Sequence, residues 1–178
     1  MALPSDSPSP AHRASLRLFL TALAILVADQ VVKKLVVTVM GLGDTVSVFG
    51  SVVRITRTEN TGAAFGLMRG RNVVFIIVSG AAAAAIVAFR REIAKLRMAE
   101  QLGFALILGG ALGNLVDRAR LGAVVDFIDI GIRGARWPAF NVADSAITIG
   151  VMLLAVHFLF LSRPRVESGA IAEHREAP

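Results

Sequence analysis

Ionisable and amide side chains stand inside or against apolar runs at four places in this chain. Such groups cost several kcal/mol in a bilayer unless paired or wet, so each is a functional candidate by default. In ADQVVKK, residues 28–34, Asp29 and Lys33 are four apart on one helical face and can pair. The plainer reading is a structural ion pair, with Lys33 and Lys34 reaching the headgroups and Asp29 ordering the site without doing chemistry. In ENTGAAFG, residues 59–66, Asn60 precedes a small-residue turn that lets a backbone approach closely, so its amide can bind a substrate carbonyl. An Asx-turn is the alternative.

The third place is GGALGNLVDR, residues 109–118. Gly109 and Gly113 have a helix-packing spacing. Asn114 and Arg118, four apart, project from one face, where an amide and a guanidinium can hold the backbone oxygens of a peptide. Asp117 is expected to neutralise or anchor Arg118, and anchoring of the helix end is the competing role for the block. The fourth place pairs VVDFIDI, residues 124–130, with FNVADSAITIG, residues 140–150. Asn141 followed three residues later by Asp144 reads as a helix-start cap, with the helix dipole favouring the carboxylate. Asp126 and Asp129 read alternatively as solvated loop residues.

The elements that must carry these groups are apolar. Of 178 residues, 55% are hydrophobic and 18% charged, and mean hydropathy is +0.68; soluble domains are rarely so apolar. Four spans are expected, at about 16–40, 72–89, 102–120 and 141–161, after a disordered lead-in over 1–12 and before a polar tail over 163–178. The first has a basic flank, Arg13 and Arg17, that suits a cleaved secretory signal, but its apolar character resumes after Lys34, which favours a retained helix. Alternating stretches such as VSVF and VRIT, within 41–71, suit brief strands outside the lipid. Residues 123–139 are expected to form a second outer loop, with Trp137 and a helix-starting Pro138 at the headgroup level. The dense basic cluster in RREIAKLRMAEQ, residues 90–101, marks a short cytoplasmic loop and so puts both termini in the cytoplasm.

A net charge of +6 invites nucleic acid as a partner, but the basic residues lie in loops and at span ends, so anionic phospholipid is expected and nucleic acid is not. The chain has no cysteine, which removes disulfides and thiolate metal sites.

Taken together, DQVVK at 29–33, ENTGAAFG, GGALGNLVDR, VVDF at 124–127 and FNVADSAI at 140–147 resemble, in order and separation, the lipoprotein signal peptidases, the type II signal peptidases of bacteria. The resemblance spans residues 16–161. It implies an all-α membrane protein of four transmembrane helices with a small extracytoplasmic β-strand lobe, forming a single peptidase domain over 1–178 in the bacterial inner membrane. It further implies an aspartyl endopeptidase, with its site toward the periplasm, that cleaves before a diacylglyceryl-modified cysteine of a prolipoprotein. By the same resemblance Asp126 and Asp144 match the catalytic pair, Asn60, Asn114, Arg118 and Asn141 line the substrate site, and Asp29 and Lys33 support it. Two carboxylates sharing a site titrate as a dyad, one protonated and one ionised, which suits activation of water against a carbonyl. Asp129 is not expected to take part. Neither a metal nor a cofactor is expected, since His12, His157 and His174 are dispersed, and Ser145 has no nearby base for a serine mechanism. The chain is expected to be a monomer.

Two other classes fit parts of the pattern. A small transporter or proton-relay subunit also carries intramembrane acids and arginines, but needs them along its spans, whereas these cluster near one end of each helix. A structural membrane protein uses polar residues to pair helices and has no need of two aspartates converging across loops.

Overall fold

The computed structural model describes residues 9–62 and 71–161. Residues 63–66 of the ENTGAAFG block, most of the lead-in and the tail over 163–178 lie outside them. The first helix, α1 (Pro10–Val39), begins earlier than its apolar pattern, because the Ser9 hydroxyl accepts the His12 N–H at 3.3 Å and Pro10 pre-sets the first turn. Residues 10–12 are therefore helical, a correction to the lead-in. Strands β1 (Thr45–Phe49) and β2 (Val53–Asn60) follow, then α2 (Asn72–Ala88) and the short α3 (Arg90–Ile93). Helix α4 (Met98–Leu121) also starts ahead of its apolar run, since the Glu100 carboxylate accepts the Arg97 N–H at 2.9 Å. It ends on Gly122, whose φ of 74° is the left-handed conformation that glycine reaches without strain. Strands β3 (Val124–Ile132) and β4 (Ala135–Arg136), helix α5 (Val142–Val156) and a π-helical turn (His157–Leu161) complete the described chain.

Among the described residues three helices are long and apolar enough to cross a membrane, Pro10–Val39, Met98–Leu121 and Val142–Phe160, and the apolar α2 is shorter. Their outward faces are greasy: α1 exposes Leu16, Leu20, Leu23, Val27, Val31 and Leu35 while burying Asp29 and Lys33. Apolar outside and charged inside is the pattern of a protein whose solvent is lipid.

Helix α4 is the hub, packing against α1, α2 and α5. Side-chain contacts fix the directions. Arg17 meets Gln101 and Lys33 meets Asn114, so α1 runs parallel to α4. Asn72 meets the carbonyl of Arg118 and His157 meets Glu100, so α2 and α5 run antiparallel to it. The start of α1 and the end of α5 thus share one end of the bundle. The opposite end carries the sheet, whose four strands lie antiparallel in the order β1-β2-β3-β4. Val36 and Met40 of α1 pack on Phe127 of β3 and seat it on the bundle.

Residues 124–132 are thus a strand instead of the expected loop. The reason is pairing: β3 takes β2 as its long-range partner, from Val53 opposite Ile130 to Asn60 opposite Val124. Between the Ile55–Ile128 and Thr58–Asp126 pairs, two residues of β2, Thr56 and Arg57, face one of β3, Phe127, which is a bulge. One extra residue flips everything beyond it to the other face. Arg54 and Thr56 therefore share a face with Asp129, whereas Thr58 and Asn60 share a face with Asp126. Helix α5 starts at Val142, so Pro138 lies in the connecting segment and does not start a helix.

Candidate active site

Asp126 sits on β3 at 2% exposure. Its Oδ1 accepts from Asn141 Nδ2 at 2.7 Å and its Oδ2 from Asn60 Nδ2 at 3.3 Å. Asp144 sits in the first turn of α5, where its Oδ1 accepts from Asn114 Nδ2 at 2.7 Å. Asn141 caps that helix through the Asp144 N–H, 2.9 Å from its Oδ1, so the expected capping arrangement is present. Asn114 and Asn141 are themselves linked at 3.3 Å, making a bridge of amides between the two carboxylates.

Beneath them lies a buried ionic cluster. Lys33 Nζ is 2.8 Å from Asp29 Oδ2, 2.8 Å from Asp117 Oδ2 and 3.1 Å from Asn114 Oδ1. The expected Asp29–Lys33 pair forms, but Lys33 is 3% exposed and does not reach headgroups: two carboxylates and an amide hold it inside. Asp117, expected to pair with Arg118, instead takes Lys33, together with the Gln30 amide at 2.9 Å and the Val125 N–H at 3.2 Å. Asp29 Oδ1 accepts the Ala143 N–H at 2.9 Å, so α1 caps the helix that carries Asp144. Gly113 makes this possible, because a Cβ there would lie 2.6 Å from Asp29 Oδ2.

A cavity of about 710 Å³ opens over the two carboxylates. Asn60, Asn114, Arg118, Asp126 and Asp144 line it, with Phe75 and Ser79 of α2 on one side and Ile147 and Thr148 of α5 on the other. The Arg118 guanidinium lies 5.0 Å from the centre of the Phe75 ring, a cation–π seat at the cavity wall. Asn141 is fully buried behind the carboxylates. Asn60 makes the alternative Asx-turn, its Oδ1 accepting the Gly62 N–H at 2.9 Å, and its amide faces Asp126 at the cavity.

Burial, and then the neighbouring Asp144 charge, push the Asp126 carboxyl up to about 7 against the pull of its Asn60 and Asn141 donors and of Lys33. Asp129 behaves oppositely. Burial raises it, but hydrogen bonds from Arg136, Arg54 and Thr56 outweigh that and hold it below the ordinary carboxylate range. Asp129 thus ties β2, β3 and β4 together on the far face of the sheet from Asp126. Sequence reasoning missed Gln30, whose amide reaches Asp29, Asp117 and the Gly113 carbonyl at 3.2, 2.9 and 3.2 Å. A polar residue between Asp29 and an apolar run was the available signal.

Comparison with known proteins decides what this arrangement belongs to. The family model described as Signal peptidase (SPase) II matches residues 21–160. The chain belongs to the signal peptidase II family. It is therefore an aspartic peptidase of family A8, and a bacterial membrane protein. A lipoprotein signal peptidase of Bacillus velezensis is 42% identical over 149 residues, covering 84% of this chain and 97% of that one. Another, of Staphylococcus haemolyticus, is 40% identical over 140 residues, covering 79% and 89%. The solved structure of a bacterial membrane enzyme obtained by the in meso method at 2.3 Å is 38% identical with a TM-score of 0.75, covering 80% of this chain and 87% of that one. The family thus agrees with the site: an aspartic peptidase needs two carboxylates on one cavity, and Asp126 and Asp144 face one here.

Proposed function

We propose that the protein removes the signal peptide of diacylglyceryl-modified prolipoproteins by cutting before the lipidated cysteine, with Asp126 and Asp144 activating water. The observation that carries the reading is the convergence of two carboxylates, from β3 and from the first turn of α5, on one cavity at the sheet end of an apolar bundle. Like charges in a shared, poorly solvated site retain one proton between them, so one carboxylate takes a proton from water while the other polarises the scissile carbonyl. Arg118, Asn60 and Asn114 line the cavity as donors to the backbone oxygens of the peptide, and Asn141 holds the Asp126 carboxylate and the Asp144 backbone N–H from behind. Asp29 and Lys33 support the floor.

The cavity lies between α2 and α5, and its walls change from polar at the carboxylates to Phe75, Ile147 and Ile149. A substrate whose scissile bond is flanked by a signal helix and acyl chains suits that gradient: the bond meets water while its neighbours stay in hydrocarbon. In this reading α2 is a fourth span, its 17 residues reaching about 25 Å, and the whole chain is one monomeric membrane domain. Both termini are cytoplasmic, because Arg90, Arg91, Lys95 and Arg97 crowd the end opposite the site, which then faces the periplasm among anionic phospholipids.

The test is cleavage by the purified enzyme of one precursor with and without its diacylglyceryl group. Cleavage of the lipidated form alone is expected; equal rates on both overturn the substrate class. A reporter fused after Arg165 should lie in the cytoplasm, and a periplasmic signal reverses the orientation.

A further inference from the structure

Three asparagines donate to the two carboxylates, and each amide is held in one orientation by a donor on its own oxygen. Asn60 Oδ1 accepts the Gly62 N–H at 2.9 Å, so its NH2 must face Asp126 Oδ2. Asn141 Oδ1 accepts the Asp144 N–H at 2.9 Å, so its NH2 faces Asp126 Oδ1. Asn114 Oδ1 accepts from the Lys33 ammonium at 3.1 Å, so its NH2 faces Asp144 Oδ1. An ammonium and two backbone N–H groups are donors only, which leaves no freedom for an amide flip. Both oxygens of Asp126 and one of Asp144 are thereby committed as acceptors. Asp144 Oδ2 takes no donor among the described residues, and Asp144 lines the cavity.

We propose that these amides assign the proton of the dyad: Asp126 is the ionised partner, Asp144 carries the acid proton on Oδ2, and Lys33 is the positioning residue that enforces this through Asn114. The proposal rests on the aspartyl reading above and deepens it. Asp126 takes one proton from water as the water oxygen bonds to the scissile carbon, while Asp144 gives its proton to the carbonyl oxygen; the result is a neutral gem-diol, a protonated Asp126 and an ionised Asp144. The C–N bond then breaks as Asp126 returns its proton to the amine nitrogen and a gem-diol hydroxyl returns one to Asp144, restoring the starting pair. A single proton held near neutrality belongs to the pair, and the donors decide which oxygen bears it. The charged groups facing the pair are Lys33 and Asp29 from α1 and Asp117 and Arg118 from α4; the facing residues of β2, Thr58 and Asn60, are neutral.

The test is the pH profile of kcat/KM on a lipidated precursor. Removing a donor from the base makes it harder to ionise, so Asn60→Ala should raise the acid limb by about one pH unit and leave the alkaline limb in place. Asn114→Ala should raise the alkaline limb by a similar amount and leave the acid limb. Lys33→Met, assayed below its melting temperature, should move both limbs upward, the alkaline one through the freed Asn114 amide and the acid one because the cation no longer draws on Asp126. A Lys33 that only braced α1 against α4 would lower the melting temperature and kcat without moving a limb. Asn60→Ala moving the alkaline limb, or Asn114→Ala the acid limb, places the proton on Asp126 and overturns the assignment; so do unmoved limbs in both. Failure of the aspartyl reading itself shows separately, as activity in Asp126→Asn or Asp144→Asn.

Discussion

Replacing Lys33 by methionine keeps the volume of the side chain and deletes the cation between Asp29, which has no exposed surface, and Asp117, at 4% exposure. Two buried carboxylates then lose their counter-ion. Removing one partner of a buried pair costs about 3–5 kcal/mol, which in a chain of this size lowers the melting temperature on the order of 10 °C. Asp29→Asn should be milder, at about 1–2 kcal/mol, because Lys33 keeps Asp117 and the amide oxygen can still accept the Ala143 N–H. The sign of the double variant is the sharper expectation. Adding Asp29→Asn to Lys33→Met removes one of the two orphaned charges, so the double should melt above Lys33→Met, although each change alone destabilises. Fluorescence-detected size exclusion after heating in detergent ranks the three. A Lys33→Met variant that melts within about 2 °C of the unaltered protein, or a double that loses the sum of its parts, would refute the counter-ion reasoning.

Deleting Arg57 removes the extra residue of β2 and leaves Thr56 opposite Phe127, Thr58 opposite Asp126 and Asn60 opposite Val124, so Thr58 and Asn60 keep the face of Asp126 and cleavage should be largely retained. Arg57→Ala, which keeps the bulge and loses the contacts to Val37, Met40 and Glu59, should also retain most of it, and abolished cleavage in the deletion refutes the register argument. Burial and the neighbouring Asp144 push the Asp126 carboxyl up to about 7, so the one proton this coupled pair shares contributes stability that is complete below the ordinary carboxylate range and is lost as pH rises through about 7. The melting temperature should therefore fall between about pH 4 and 7 and level off above, and Asp126→Asn should flatten that fall. Asp129 is the reverse case. Held low by Arg136, Arg54 and Thr56, it stabilises above the ordinary carboxylate range and loses that contribution as pH falls through its own lower value. Asp129→Asn should therefore cost about 1–3 kcal/mol at neutral pH, a deficit that closes in acid, as thermal unfolding at several pH values will show.

Local pattern carried much of this. Apolar runs located the helices, two-residue alternation located β1 and β2, and the Asn141–Asp144 spacing located a cap that the structure contains. Helix starts at Pro10 and Met98 lay beyond the apolar pattern because Ser9 and Glu100 satisfy backbone N–H groups there, a polar signal that hydropathy does not register. What escaped depends on partners distant in sequence. Strand β3 read as a loop because its partner β2 lies some seventy residues away, as the Arg54–Asp129 pairing shows, and both of its faces are covered. Lys33 looked like a headgroup anchor because nothing nearby reveals that Asn114 and Asp117, on another helix, will surround it. The bulge between Ile55 and Thr58 exists only in the pairing.

The most direct test of the central claim is cleavage of a lipidated precursor by purified Asp126→Asn and Asp144→Asn, each first shown to elute as the unaltered protein does. Both should be folded and both should fail to cleave, with losses of several orders of magnitude. Cleavage by either at a rate near that of the unaltered enzyme contradicts the dyad.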